Sequence, residues 1–213
     1  MAYETLSLAY EACQPRMDVI STERLDLVPM TPSFLKCTCR GRRAEAEAII
    51  GMRIPSLWFE CGSFAALRLR QFESGATSQP WLPRAIVFRE SGEMVGYIGF
   101  HTPPAPDYLK DLCPRGVEFG YTVFPAFRRQ RVAWEASRAL IQWASREHGV
   151  SSFVVSVSPL NPASLALISK MGFRRIGSQV DDEDGSEDIF ELVVDEKMPN
   201  KASEPTTMAH LER

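Results

Sequence analysis

Residues 123–136 read VFPAFRRQRVAWEA, a basic cluster set between the end of an extended segment and the start of a helix. Pro125 cannot donate to a sheet ladder, so the preceding VEFGYTV strand (117–123) has to stop at about Phe124. The helical pattern resumes near Val132 or Ala133, and Arg128, Arg129, Gln130 and Arg131 fill the interval. The first amides of a helix have no intrahelical acceptor, and they sit at the positive end of its dipole. Arginine there is mildly unfavourable for the helix, so the cluster does nothing for its stability. Free amides and guanidinium groups together make an anion site, with phosphate or pyrophosphate as the natural occupant. A solvated surface loop is the alternative, and it stays open on these residues alone.

The chain around this cluster is mildly acidic. Its 213 residues carry a formal net charge of −3, with 45% hydrophobic and 24% charged residues. That suits one soluble domain, and it argues against nucleic acid or an anionic membrane as partner. A basic cluster in an acidic chain points to a small anionic ligand. No apolar run approaches the roughly 20 residues of a membrane helix. The start, with Glu4 and no basic segment, does not read as a secretory signal. Cys13, Cys37, Cys39, Cys61 and Cys113 are odd in number and complete no zinc set, which is the pattern of free thiols and a cytoplasmic location. No metal is expected.

Residues 1–20 show no clear period and read as an N-terminal extension. Alternation in ERLDLVPM (23–30) predicts a first strand. Thr31 as N-cap and Pro32 at the first helical position open a helical region reaching about Met52, with CTCRGRR a weak point inside it. SFAALRLRQFES (63–74) predicts a second helix. RAIVFRE and MVGYIGF, joined by SGE, read as a hairpin, and the proline-rich segment 101–116 as a loop. After VEFGYTV come an amphipathic helix (132–149), the strand SSFVVSVS, a short helix capped by Asn161, and a closing pair, FRRIGSQV and DIFELVV. The order predicts an α/β (α+β) fold, a mixed sheet with helices on both faces. The domain is expected over 21–195, followed by a polar tail, 196–213.

Period 2 along VEFGYTV puts Val117, Phe119, Tyr121 and Val123 on one face and Glu118, Gly120 and Thr122 on the other. A carboxylate inside a central strand is costly to bury and wants a reason. Glu118 is either a general base or the partner of a surface arginine.

The spaced elements VEFGYTVFPAFRRQRVAWEASRALIQWA and NPASLALISKMGFRRIG, followed by an acidic loop, resemble the GCN5-related N-acetyltransferases (GNAT). The resemblance is strongest to the branch that acetylates ribosomal-protein N-termini. It implies the GNAT fold, with a gap between the splayed parallel strands VEFGYTV and SSFVVSVS. It implies acetyl-CoA as donor and an amine acceptor, either a small molecule or a protein N-terminus; a homodimer is left open. Arg128, Arg129, Gln130, Arg131, Val132 and Ala133 align with the family's phosphate loop, where Arg131 stands in place of a glycine. Its side chain either crowds the phosphate or, as we favour, leaves a backbone of ordinary helical angles and swings outward or pairs with a phosphate oxygen. By the same resemblance, backbone groups near Tyr121 and Phe124 pair with pantetheine, the Val123 amide faces the thioester, and Glu118 is the base. The family's acid tyrosine is replaced by Ile168. Asn161 contacts pantetheine or merely caps its helix, and Ser164 is the candidate acid. A non-catalytic acyl-CoA-binding module and a nucleotide-phosphate binder remain as alternatives.

Other signals carry less. Asp182, Asp184, Gly185 and Glu191 mimic a calcium loop, but Val180 occupies the first ligand position. That acidic loop could attract a cationic amine. His101 reads as a surface or structural histidine, and Trp134 and Trp143 as packing residues.

Overall fold

The computed structural model describes residues 19–181 and 185–194. Eight strands form among them: β1 (Ile20–Ser21), β2 (Leu25–Pro29), β3 (Arg84–Phe88), β4 (Glu93–Phe100), β5 (Val117–Val123), β6 (Ser152–Val157), β7 (Arg174–Asp181) and β8 (Gly185–Val193). They make one sheet in the order β1-β2-β3-β4-β5-β6-β8-β7. Every neighbouring pair is antiparallel except β5 and β6. The expected mixed sheet is therefore present. β1 begins one residue ahead of the expected domain start, because Ile20 belongs to the core.

The helices are α1 (Pro32–Cys39), α2 (Arg43–Ile50), α3 (Ser56–Glu60), α4 (Gly62–Glu73), α5 (Val132–His148) and α6 (Pro162–Met171). Thr31 caps α1 by accepting the Phe34 amide at 3.1 Å, with Pro32 in the first turn. The weak point that follows is a true break. Gly41, at φ 66°, turns the chain, and α2 restarts at Arg43. α3 was not predicted, since five residues are too few to show a period. It delivers the fully buried Trp58, whose Nε1 donates to Thr38 Oγ1 at 2.9 Å.

Helices cover both faces of the sheet. On one, Val117 and Phe119 pack with Val132, Ala136 and Leu140 of α5 and Ile168 of α6. On the other, Ala85, Val87 and Met94 pack with Phe34, Leu35, Trp58 and Ala65 from α1, α3 and α4. Each large side chain buried this way contributes roughly 1.5–3 kcal/mol. The acidic residues 182–184 of the last hairpin, and the segments 1–18 and 195–213, lie outside the described residues.

The feature that positions the site is an interruption. β5 pairs with β4 through Gly96↔Val123 and with β6 only through Val117↔Phe153 and Glu118↔Val154. Beyond Glu118 the two parallel strands separate. Antiparallel pairs exchange hydrogen bonds at alternate positions. His101 N donates to Glu118 O and Phe124 N to Val95 O, which fixes the phase of the β4–β5 ladder. Phe119, Tyr121 and Val123 then turn their peptide groups away from β4, toward the space that β6 has vacated.

Candidate active site

The turn between β5 and α5 is the first component. A 3₁₀ turn over Pro125–Phe127 leads into Arg128–Arg131. Arg129 and Arg131 both have φ 62°, and Arg131 has ψ 15°. The expectation of ordinary helical angles at Arg131 is thus overturned. The residue takes the left-handed conformation for which glycine is usually selected, and the side chain leaves the backbone from there. Alternating signs of φ along 129–132 make successive N–H groups converge, the geometry of an anion nest. No side chain caps the first turn of α5.

A second network braces this turn. Glu135, in the first turn of α5, accepts from Thr22 Oγ1 at 2.6 Å and from Arg24 Nη2 at 2.6 Å. The same Arg24 Nη2 donates to Gln130 O at 3.1 Å. Burial pushes the Glu135 carboxyl up, but the bonds from Thr22 and Arg24 outweigh it and leave the group below its ordinary value.

A cleft of about 580 Å³ opens above the turn, with Arg128, Arg129, Arg131, Val132 and Ala133 on one side and Asn161, Ser164 and Lys170 on the other. Tyr121 and Val123 form part of its wall. Most of the predicted ligand residues therefore converge. Phe124 does not: its amide is taken by Val95 O and its ring is buried in the core beneath α1. Gln130 does not line the cleft either; its Nε2 donates to Ala126 O and its carbonyl accepts Arg24. Arg128 is partly committed, with Nε donating to Val123 O at 3.0 Å. Asn161 Oδ1 accepts the Ser164 amide at 3.1 Å, so the cap is real and only its NH₂ could serve a ligand. Trp134, expected to be a packing residue, lines the cleft, with the Arg138 guanidinium 4.7 Å from its ring centre. Tyr121 places its buried hydroxyl beside Ser164 without hydrogen-bonding geometry; burial raises its pKa, and Ser164 opposes this only in part.

Glu118 faces the other side of the sheet and is buried. Ser156 Oγ donates to its Oε1 at 2.6 Å, and His101 Nδ1 lies 3.5 Å from its Oε2. Burial pushes the carboxyl up, but the bond and charge of His101, with hydrogen bonds from Ser156 and Tyr108, outweigh it and hold the group below its ordinary value. Tyr108 moves the opposite way, its hydroxyl pushed up by burial and by the Glu118 charge. Among the described residues no arginine forms an ion pair with Glu118, and His101, read as a surface or structural histidine, stands beside it instead. Hairpin register carried the missed signal: with Gly99 opposite Gly120, residue 101 must lie opposite 118. Tyr108, in the proline-rich loop, had no such signal.

A second cleft, of about 480 Å³, lies on the α4 side, lined by Phe64, Arg68, Arg70, Tyr97 and His101 and meeting the first at Tyr121 and Thr122. A Cβ at Gly120 would sit 2.9 Å from His101 Nε2, so any larger residue there would push the imidazole aside. The calcium alternative loses a ligand, since Glu191 is engaged by Ser152 Oγ at 2.6 Å and Cys113 Sγ at 3.1 Å. Asp182 and Asp184 lie outside the described residues. Among those residues no helix is long and apolar enough to cross a membrane.

Comparison with known proteins agrees with this arrangement. Residues 34–174 match the acetyltransferase (GNAT) domain. The FsC-acetyl coenzyme A-N(2)-transacetylase of Aspergillus fumigatus is 26% identical over 171 residues, 74% of this chain and 65% of the relative. The chain thus spans less than two thirds of that protein. Among solved structures, the Salmonella typhimurium acetyl transferase that modifies the N-terminal serine of ribosomal protein L7/L12 superposes with a TM-score of 0.57 at 16% identity, covering 84% of this chain and 100% of its own. RimL, a ribosomal L7/L12 α-N-protein acetyltransferase in complex with coenzyme A, gives 0.56 at 16% identity, covering 83% and 98%. At such identities the likeness concerns the fold. The domain match spans well over half of the sequence, and the chain belongs to the GNAT family of acetyltransferases.

Proposed function

We propose that this chain transfers the acetyl group of acetyl-coenzyme A directly to a primary amine, on a small molecule or a protein N-terminus. The observation that carries the reading is the early end of β5–β6 pairing, which leaves peptide groups of β5 free beside a cation-lined turn. The donor's pyrophosphate would rest on the amides and guanidinium groups of residues 128–133. Its pantetheine arm would pair with the backbone at Tyr121 and Val123. The Val123 amide would then donate to the oxygen that gains charge as the amine attacks.

The base in this reading is the His101–Glu118 pair. Glu118 does not line the acceptor cleft, whereas His101 does. The carboxylate orients the imidazole, and the imidazole meets the amine. As the C–N bond forms and the C–S bond breaks, the amine's proton passes to His101. The thiolate leaves with the bonding pair and takes a proton from Ser164, beside Tyr121, or from water.

Calorimetry with acetyl-CoA, followed by thiol-release assays over a panel of primary amines, tests the proposal. Micromolar binding together with amine-dependent release is the expected result. Binding without release for any amine would reduce the chain to an acyl-CoA-binding module.

A further inference from the structure

We infer that the amine this protein acetylates carries an anionic group close to the reacting nitrogen, a carboxylate in the simplest case, held by Arg68 and Arg70 in the second cleft. The inference rests on the transfer reading above and names the class of acceptor.

Arg68 is a buried cation, 8% exposed. A buried charge is costly unless paired, yet among the described residues no carboxylate lies within ion-pair distance of it. Its Nη1 is held by Gln71 Oε1 and by His101 O, both at 2.9 Å, and its guanidinium lies 5.1 Å from the centre of the Phe64 ring. Nε is buried with no hydrogen-bond partner. The group is therefore fixed in place, and Nη2, which no protein group engages among the described residues, is the donor left for a ligand in the cleft. Glu118 is close enough to act on Arg68 through its charge, but its oxygens are engaged by Ser156 and His101.

The wall around Arg68 points the same way. Arg70 and His101 line the cleft with it, and no aspartate or glutamate does. A polyamine or an aminoglycoside would bring several positive charges against a wall that, among the described residues, carries Arg68 and Arg70 and no carboxylate. A molecule with an amine at one end and a carboxylate a few bonds away fits both ends, the amine toward His101 and Glu118 and the carboxylate toward the two arginines. The link between the ends is short, because Arg68 grips the carbonyl of the histidine whose ring meets the amine. A volume of about 480 Å³ suits a small molecule.

The test compares amino acids, α and ω, with their own carboxamides as acceptors, in wild type, Arg68→Gln and Arg70→Gln. The expected result is a kcat/KM at least tenfold higher for the carboxylates in wild type, carried mainly by KM and largely erased in each variant. Arg70 is exposed, so its variant keeps the test readable if Arg68→Gln does not fold. Equal or better use of carboxamides would overturn the inference while leaving amine acetylation intact. An additional arm needs no turnover: calorimetry of the matching des-amino carboxylic acids against the acetyl-CoA-loaded protein. Saturable binding weakened about tenfold or more by Arg70→Gln supports the anion site even if no amine is acetylated, and no saturable binding counts against it. An inorganic phosphate arm separates the sources of charge, since phosphate binding tighter than that of any carboxylate would replace the carboxylate with a phosphorylated amine.

Discussion

Replacing Arg131 by glycine separates what its backbone does from what its side chain does. A left-handed conformation costs a non-glycine residue about 1–2 kcal/mol, and Arg131 adopts one at φ 62°. Glycine removes that strain but returns about 0.4–1 kcal/mol by loosening the unfolded chain. The two nearly cancel, so Arg131→Gly should be as stable as wild type or better by ~1 kcal/mol, a melting shift of about 2–4 °C at most. The guanidinium is a separate matter. It lines the cleft and caps nothing in the helix, so phosphate is its natural partner. A charge-assisted hydrogen bond contributes about 1.5–3 kcal/mol, and its loss should weaken acetyl-CoA roughly 10- to 150-fold. Arg131→Ala should lose the same affinity while keeping the strain, and so be about 1 kcal/mol less stable than the glycine variant. Calorimetry gives the affinities, and thermal melts of the free protein give the stabilities. A glycine variant that binds acetyl-CoA as tightly as wild type would refute the assignment of this side chain as a ligand.

Glu118→Gln should lower turnover about 100-fold, the usual scale of lost proton transfer, with acetyl-CoA affinity unaltered by calorimetry. Glu135→Gln should weaken acetyl-CoA only modestly, roughly threefold, because it loosens a partly exposed brace rather than a ligand. The Glu135 pKa is lowered on folding, so its stabilisation is present above the ordinary glutamate pKa of about 4.3 and is lost as pH falls through the lowered value. Melts from pH 7 to pH 3 should therefore show wild type and Glu135→Gln converging at the acid end. Gly120→Ala forces a methyl against His101 Nε2 and should reduce kcat/KM for the amine about tenfold or more, while acetyl-CoA binding stays as it was.

Legibility in the sequence followed the range of the interaction concerned. Strands and capped helices are local matters, so Thr31, Pro32, Asn161 and the alternation in VEFGYTV could be read directly. The arginine turn was legible because its amides, its arginines and its helix are consecutive in the chain. The angle at Arg131 was not, since arginine is a poor marker of left-handed backbone and glycine a good one. α3 escaped because Trp58 is held by Thr38, 20 residues earlier, and not by any period of its own. Arg68 lies in a segment that reads only as a helix. Its burial arises only when α4 packs on the sheet beside the end of β4, a tertiary event with no local trace.

The separation of β5 from β6 explains why one strand serves two clefts. Had parallel pairing continued past Glu118, the peptide groups of Tyr121 and Val123 would have been taken up by the ladder, as those of Val117 are. The helix α5 face and the helix α4 face would then be sealed from each other by a continuous sheet. Divergence leaves Tyr121 and Thr122 common to both clefts, so a group seated on the arginine turn and an amine entering past His101 can meet there. Period 2 assigns the labour: Tyr121 faces the side of Ser164, and Glu118 faces the side of His101. In the transfer we propose, proton removal from the amine and proton return to the thiolate would thereby fall on opposite faces of one strand.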